Sequence, residues 1–105
     1  MAQADTTPRT TVPDLTGFQR DVLFVIAATE PVKGTKIKAE VEDYYGVEVN
    51  HGRLYPNLDE LADSGLIEKG ERDKRTNEYS LTGRREALLA QRQEWEAERF
   101  GEVTA

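Results

Sequence analysis

The sequence predicts a mainly α chain with one small β-hairpin, in the order helix, helix, helix, hairpin, helix. Three observations predict it. Apolar residues recur at helical spacing in four segments. Two strand-like runs, residues 66–71 and 78–81, flank a polar turn, RDKRTN. Glycines and a proline stand where the helices should stop. The 105 residues are about the size of one domain.

Residues 1–13 are polar, carry two prolines and show no period, as expected of a disordered N-terminal arm. Asp14 or Thr16 can cap a first helix that runs to Thr29, with Phe18, Val22, Val25 and Ile26 on one face. Glu30-Pro31 ends it, because the residue before proline avoids helical geometry. Lys33-Gly34 reads as a turn. Thr35 then caps a second helix over 36–45, which buries Ile37, Val41 and either Tyr44 or Tyr45. Gly46 supplies a left-handed stop, and 47–49 form a short extended link.

The third helix starts near Asn50 and stops at Ser64-Gly65, with Leu54, Leu58, Leu61 and Ala62 on its core face. Pro56 lies early in it. Its ring presses on the carbonyl four residues back, which belongs to Gly52, the most permissive residue type. Several amides near a helix start are unpaired anyway, so the helix survives with a mild distortion. After the hairpin, Thr82 caps a last helix over 83–100, rich in Glu, Gln, Ala and Arg. Three helices on short links followed by a hairpin describe a winged helix-turn-helix at 14–81, and 82–105 supply a C-terminal dimerisation helix and tail.

Composition narrows the chemistry. There is no cysteine, which excludes disulfides, thiolate metal sites and cysteine nucleophiles. The one histidine, His51, lacks partner ligands or a triad, so no metal and no cofactor is expected. There is no glycine-rich phosphate loop and no carboxylate pair with a clear pocket, so the chain does not read as an enzyme. The longest apolar run, VLFVIAA, is far short of the roughly 20 residues a membrane span needs, and 1–14 lack the order of a signal peptide. A cytoplasmic location is expected.

Net charge is −6, which taken alone opposes binding to phosphate. Its distribution changes that reading. Residues 59–68 hold four acids and no base, whereas 69–85 hold six bases against three acids. The basic segment is the hairpin, where Lys69, Arg72, Lys74 and Arg75 can reach a DNA backbone or minor groove. The polar start of the third helix suits a major groove. Arg53 can pair with guanine, and Asn50 or Asn57 with adenine or phosphate, beside His51 and part of Tyr55. Lys36 and Lys38 open the second helix, whose dipole also favours a phosphate. The plainer alternative makes Asn50 an N-cap and Arg53 a solvated residue.

The run GRLYPNLDELADSGLIEK resembles the Tyr-Pro-x-Leu-x-x-Leu segment of PadR-like transcriptional regulators, and EYSLTGRREALL resembles their Tyr-x-Leu-Thr motif. The likeness covers roughly residues 15–100 and extends to short haloarchaeal members of that family. It implies a homodimeric winged helix-turn-helix acting at promoters, with a reading helix over 50–64, a wing over 69–79 and a link to stress response. Many members carry a longer C-terminal region and a more basic DNA face than this chain.

Leu81, Leu88 and Trp95 lie seven apart, with Leu89 and Phe100 alongside, which suggests a seam for a partner helix. The same stripe could instead pack on its own domain. A symmetric dimer places two reading helices about one DNA turn, roughly 34 Å, apart and implies a palindromic site. Abundant acid, with nine arginines to five lysines, is a surface habit of proteins from salty cytoplasms. There, screening reduces carboxylate–phosphate repulsion, and monovalent cations can bridge the two at the DNA interface. A flat or inverted salt dependence follows. The competing reading is a winged-helix protein–protein interaction module that does not read DNA.

Overall fold

The computed structural model describes residues 14–104. The expected N-terminal arm, 1–13, lies outside the described residues, as do Ala105 and the side chains of Arg84 and 102–104. Seven elements follow in order: α1 (Gly17–Thr29), β1 (Val32–Lys33), α2 (Gly34–Tyr45), α3 (His51–Asp63), β2 (Ile67–Asp73), β3 (Thr76–Leu81) and α4 (Gly83–Thr104).

Thr16, rather than Asp14, caps α1. Its hydroxyl accepts from the Gln19 amide at 3.1 Å while the Gln19 side chain accepts from the Thr16 amide at 3.2 Å, a reciprocal capping box. Gly46 (φ 75°) ends α2, and Gly65 (φ 78°) follows the α3 cap residue Ser64, both in the left-handed region that glycine adopts freely. Val22, Ile26, Ile37, Val41, Leu54, Leu58 and Leu61 interlock in one core with Leu66, Ile67 and Tyr79 of the sheet side. Burial pushes the Tyr79 hydroxyl above its ordinary range.

The structure differs from the sequence reading at three places. Lys33-Gly34 is not a simple turn, since Lys33 ends a short strand and Gly34 opens α2. After the cis Glu30–Pro31 bond, Val32 pairs with Tyr79 and Lys33 with Glu78, making a three-stranded antiparallel sheet of order β1-β3-β2. The second helix starts at Gly34 with Lys33 as its cap residue and no side-chain cap, so Thr35 lies inside it. The hairpin is longer and its turn tighter than expected, since only Lys74 and Arg75 separate the strands. Two-residue turns usually need positive φ, and among the described residues no non-glycine adopts it. Instead the register shifts between Glu71 and Asp73, and Asp73 Oδ1 accepts from the Arg75 amide at 2.9 Å. That bond and a second from Thr76 hold the Asp73 carboxyl below its usual range.

The early part of α4 lies on the domain. Buried Arg85 donates its Nε to the Gly65 carbonyl at 3.3 Å. Glu30 accepts the Leu81 amide at 2.7 Å, and its carboxyl beside Glu86 pushes the Glu86 carboxyl above its usual range. Beyond Arg92 the described residues of α4 are exposed. Among the described residues no helix is long and apolar enough to cross a membrane.

Candidate nucleic-acid interface

With Leu54, Leu58 and Leu61 buried, helical spacing turns Gly52, Pro56, Asp59 and Asp63 to solvent, and all four are exposed. The polar residues expected to read DNA flank that ridge on two sides. Arg53 and Asn57 lie toward α1. The guanidinium of Arg53 sits 4.0 Å from the centroid of the Phe18 ring, a cation–π contact that fixes its direction. Asn57 Oδ1 accepts from Gln19 Nε2 at 3.0 Å, and its Nδ2 donates to the Arg53 carbonyl at 2.7 Å. His51 and Tyr55 lie toward α2, stacked at 5.4 Å with 16° between ring planes. Tyr55 covers Gly34, where an added Cβ would meet its hydroxyl at 2.7 Å. Asn50 caps α3, its Oδ1 accepting from the Gly52 amide.

The wing adjoins the same helix. Lys69 on β2 pairs with Asp59 on α3 at 3.4 Å. Four of the expected DNA-contacting cations hold acids of their own chain: Lys36–Glu40 at 3.1 Å, Lys38–Glu42 at 2.7 Å, Lys69–Asp59, and Arg72–Glu78 at 3.5 Å. Lys74 and Arg75 stand exposed at the wing tip without such an acid among the described residues. Glu42 also accepts the Val49 amide at 2.8 Å, tying α2 to the link before α3. The Lys38 contact holds the Glu42 carboxyl below its usual range and raises Lys38 above its own. Tyr45 donates to Asp21 at 2.6 Å, and burial with that bond pushes its hydroxyl up to about 12.

The residues expected at a dimer seam divide. Leu81 and Leu89 are buried in the chain's own core, and Leu88 packs against it. Leu81 and Leu89 are therefore not free to meet a partner, because β3 ends and α4 begins on that core, whereas Leu88 is half-buried. Trp95 and Phe100 remain 48% and 69% exposed, with the guanidiniums of Arg92 and Arg99 at 4.8 and 4.5 Å from the Trp95 ring. Among the described residues no group of three His, Asp or Glu is gathered as a metal site.

Residues to which the sequence reading gave no role at this surface hold it in place. Gln19 is buried and joins α1 to α3, donating also to Glu60 Oε1 at 3.3 Å. Phe18, Gly34 and Glu42 orient Arg53, Tyr55 and Lys38. A Thr-x-x-Gln capping box was the only sequence signal available for Gln19, and its long-range bonds leave no local pattern.

Three helices, a two-stranded wing and a helix that leaves the domain define a winged helix-turn-helix protein. The pattern of the transcriptional regulator PadR-like family matches residues 22–91, and the chain belongs to that family. H. salinarum RosR grown from NaBr is 53% identical, with a TM-score of 0.78 over 83% of this chain and 78% of that one. The hsRosR-S1 complex gives 52% identity and a TM-score of 0.79 over 84% and 78%. Streptococcus pneumoniae FabT in complex with DNA, at 17% identity and a TM-score of 0.71 over 91% and 64%, shares the fold alone. Comparison with curated proteins gives no match.

Proposed function

We propose that this chain is a sequence-specific DNA-binding transcriptional regulator. It acts in the cytoplasm as a homodimer on palindromic promoter sites, in a salty interior and in a stress response. Residues 14–81 are the DNA-binding unit, and 82–105 dimerise through Trp95 and Phe100. The observation that carries this reading is the adjacency of the solvent-facing side of α3 to a wing whose tip offers Lys74 and Arg75 free of acids among the described residues. FabT, a protein of the same fold, has been seen in complex with DNA.

The four ion pairs support a role for salt in DNA binding by this anionic chain. In dilute buffer, acids at 2.7–3.5 Å occupy the cations and repel phosphate. Raising potassium screens both effects and supplies cations that bridge carboxylate to phosphate. Binding is then flat in salt or strengthens with it, against the usual fall from counterion release.

The test is a promoter-fragment gel shift from dilute buffer to molar potassium chloride. It compares wild type with Arg53→Ala and with the Lys74→Ala/Arg75→Ala pair. Both variants should weaken binding at every salt concentration. Retained binding in both would favour the protein-interaction reading, and a steep monotonic loss of wild-type affinity with salt would refute the halophilic part.

A further inference from the structure

We infer that the base-reading element is the ridge formed by Gly52 and Pro56, and that it selects an A·T pair in each half-site through a main-chain acceptor and a thymine methyl contact. This rests on the DNA-binding reading above.

Three of the side chains usually expected to read bases are held by contacts within the protein. Arg53 lies over Phe18 at the flank of α3. Both ends of the Asn57 amide are used, by Gln19 and by the Arg53 carbonyl. Asn50 Oδ1 is occupied by the Gly52 amide. These contacts make the three residues a frame. Gly52 and Pro56 are exposed on α3 between the Arg53/Asn57 flank and the His51/Tyr55 flank.

Those two residues act together. Pro56 has no amide hydrogen, so the Gly52 carbonyl receives no main-chain bond from four residues on. Gly52 has no side chain to hold a base edge away from that carbonyl. Pro56, one helical turn on, presents an exposed apolar ring directly beside that carbonyl. The next group on the ridge, Asp59, is held by Lys69 at 3.4 Å.

One main-chain acceptor beside an apolar ring has a definite complement in the major groove. Guanine offers the acceptors O6 and N7, which repel a carbonyl. Cytosine offers a donor without a methyl. An A·T pair offers both the adenine N6 amino donor and, at the far side of the same edge, the thymine methyl. The carbonyl of Gly52 accepts from the first while the Pro56 ring covers the second.

The experiment selects bound sequences from randomised duplexes, using full-length wild type and Pro56→Ala at the potassium concentration of tightest binding. Alanine restores the missing amide, removes the ring and is compatible with helix. The expected result is an A·T preference on the order of tenfold at one position per half-site, falling to within about twofold in the variant while the other positions hold. A second arm needs no variant. Uracil in place of that thymine deletes only the methyl, and should weaken wild-type binding several-fold. An enriched motif that is identical in both proteins, or insensitivity of wild type to uracil at every thymine, overturns this inference and leaves DNA binding intact. The absence of any enriched motif overturns both.

Discussion

Replacing Gln19 should uncouple α1 from α3. Its side chain is buried, and it makes three hydrogen bonds beyond its own amide: to Asn57 Oδ1 at 3.0 Å, to Glu60 Oε1 at 3.3 Å, and from the Thr16 amide at 3.2 Å. Glu60 is exposed, so water replaces that bond at little cost. The other two contribute about 1 kcal/mol each. Gln19→Met keeps the side-chain length and should cost about 2 kcal/mol, a fall in Tm on the order of 10 °C for a domain of this size. Gln19→Ala also loses buried methylene, adding about 1 kcal/mol. Thermal unfolding at fixed protein and salt concentration measures both. A double-mutant cycle with Asn57→Ala isolates the bond itself, with a coupling of about 1 kcal/mol expected. Strict additivity, within about 0.3 kcal/mol, would refute the claim that Gln19 acts on α3 through Asn57.

Gly34→Ala should destabilise the fold by about 1–3 kcal/mol, because the new methyl meets Tyr55 at 2.7–2.8 Å, whereas Gly70→Ala meets nothing within 4 Å and serves as the control. Denaturant melts decide this, and Gly34→Ala should cost less in a Tyr55→Leu background. The lowered Glu42 carboxyl stabilises the fold above the ordinary carboxylate value of 4.5, and that contribution disappears as pH falls through the lower folded value. The Tm advantage of wild type over Glu42→Gln should therefore hold at neutral pH and close on acidification below 4.5; a pH-independent difference would contradict it. Trp95→Ala should shift the protein toward monomers in light scattering, and an unchanged dimer would rule out Trp95 as an interface residue.

Much of the fold could be read in advance because its signals are local. The leucines of α3, the stops at Gly46 and Gly65, and the cap at Thr16 each depend on residues within a few positions. β1 could not be read, since two residues form a strand only because β3, more than forty positions later, supplies the partners. The turn at Lys74-Arg75 escaped because Asp73, not glycine, closes it. At the surface, composition identified the basic segment but not its pairing. Whether Lys36 or Lys38 reaches solvent freely depends on acids one helical turn away, a spacing visible in sequence but undecided between pairing and exposure. The seven-residue stripe from Leu81 to Trp95 looked continuous because periodicity does not record where a helix leaves its domain.

The contact of Tyr55 with Gly34 bears on anyone retargeting such a protein. Transplanting α3 into another host would carry the ring but not the bare position that receives it, and a recipient with any side chain there would tilt the incoming segment. A graft that preserves its docking angle has to bring residues from three separate parts of the chain: the glycine that opens α2, the glutamine near the start of α1, and the helix itself.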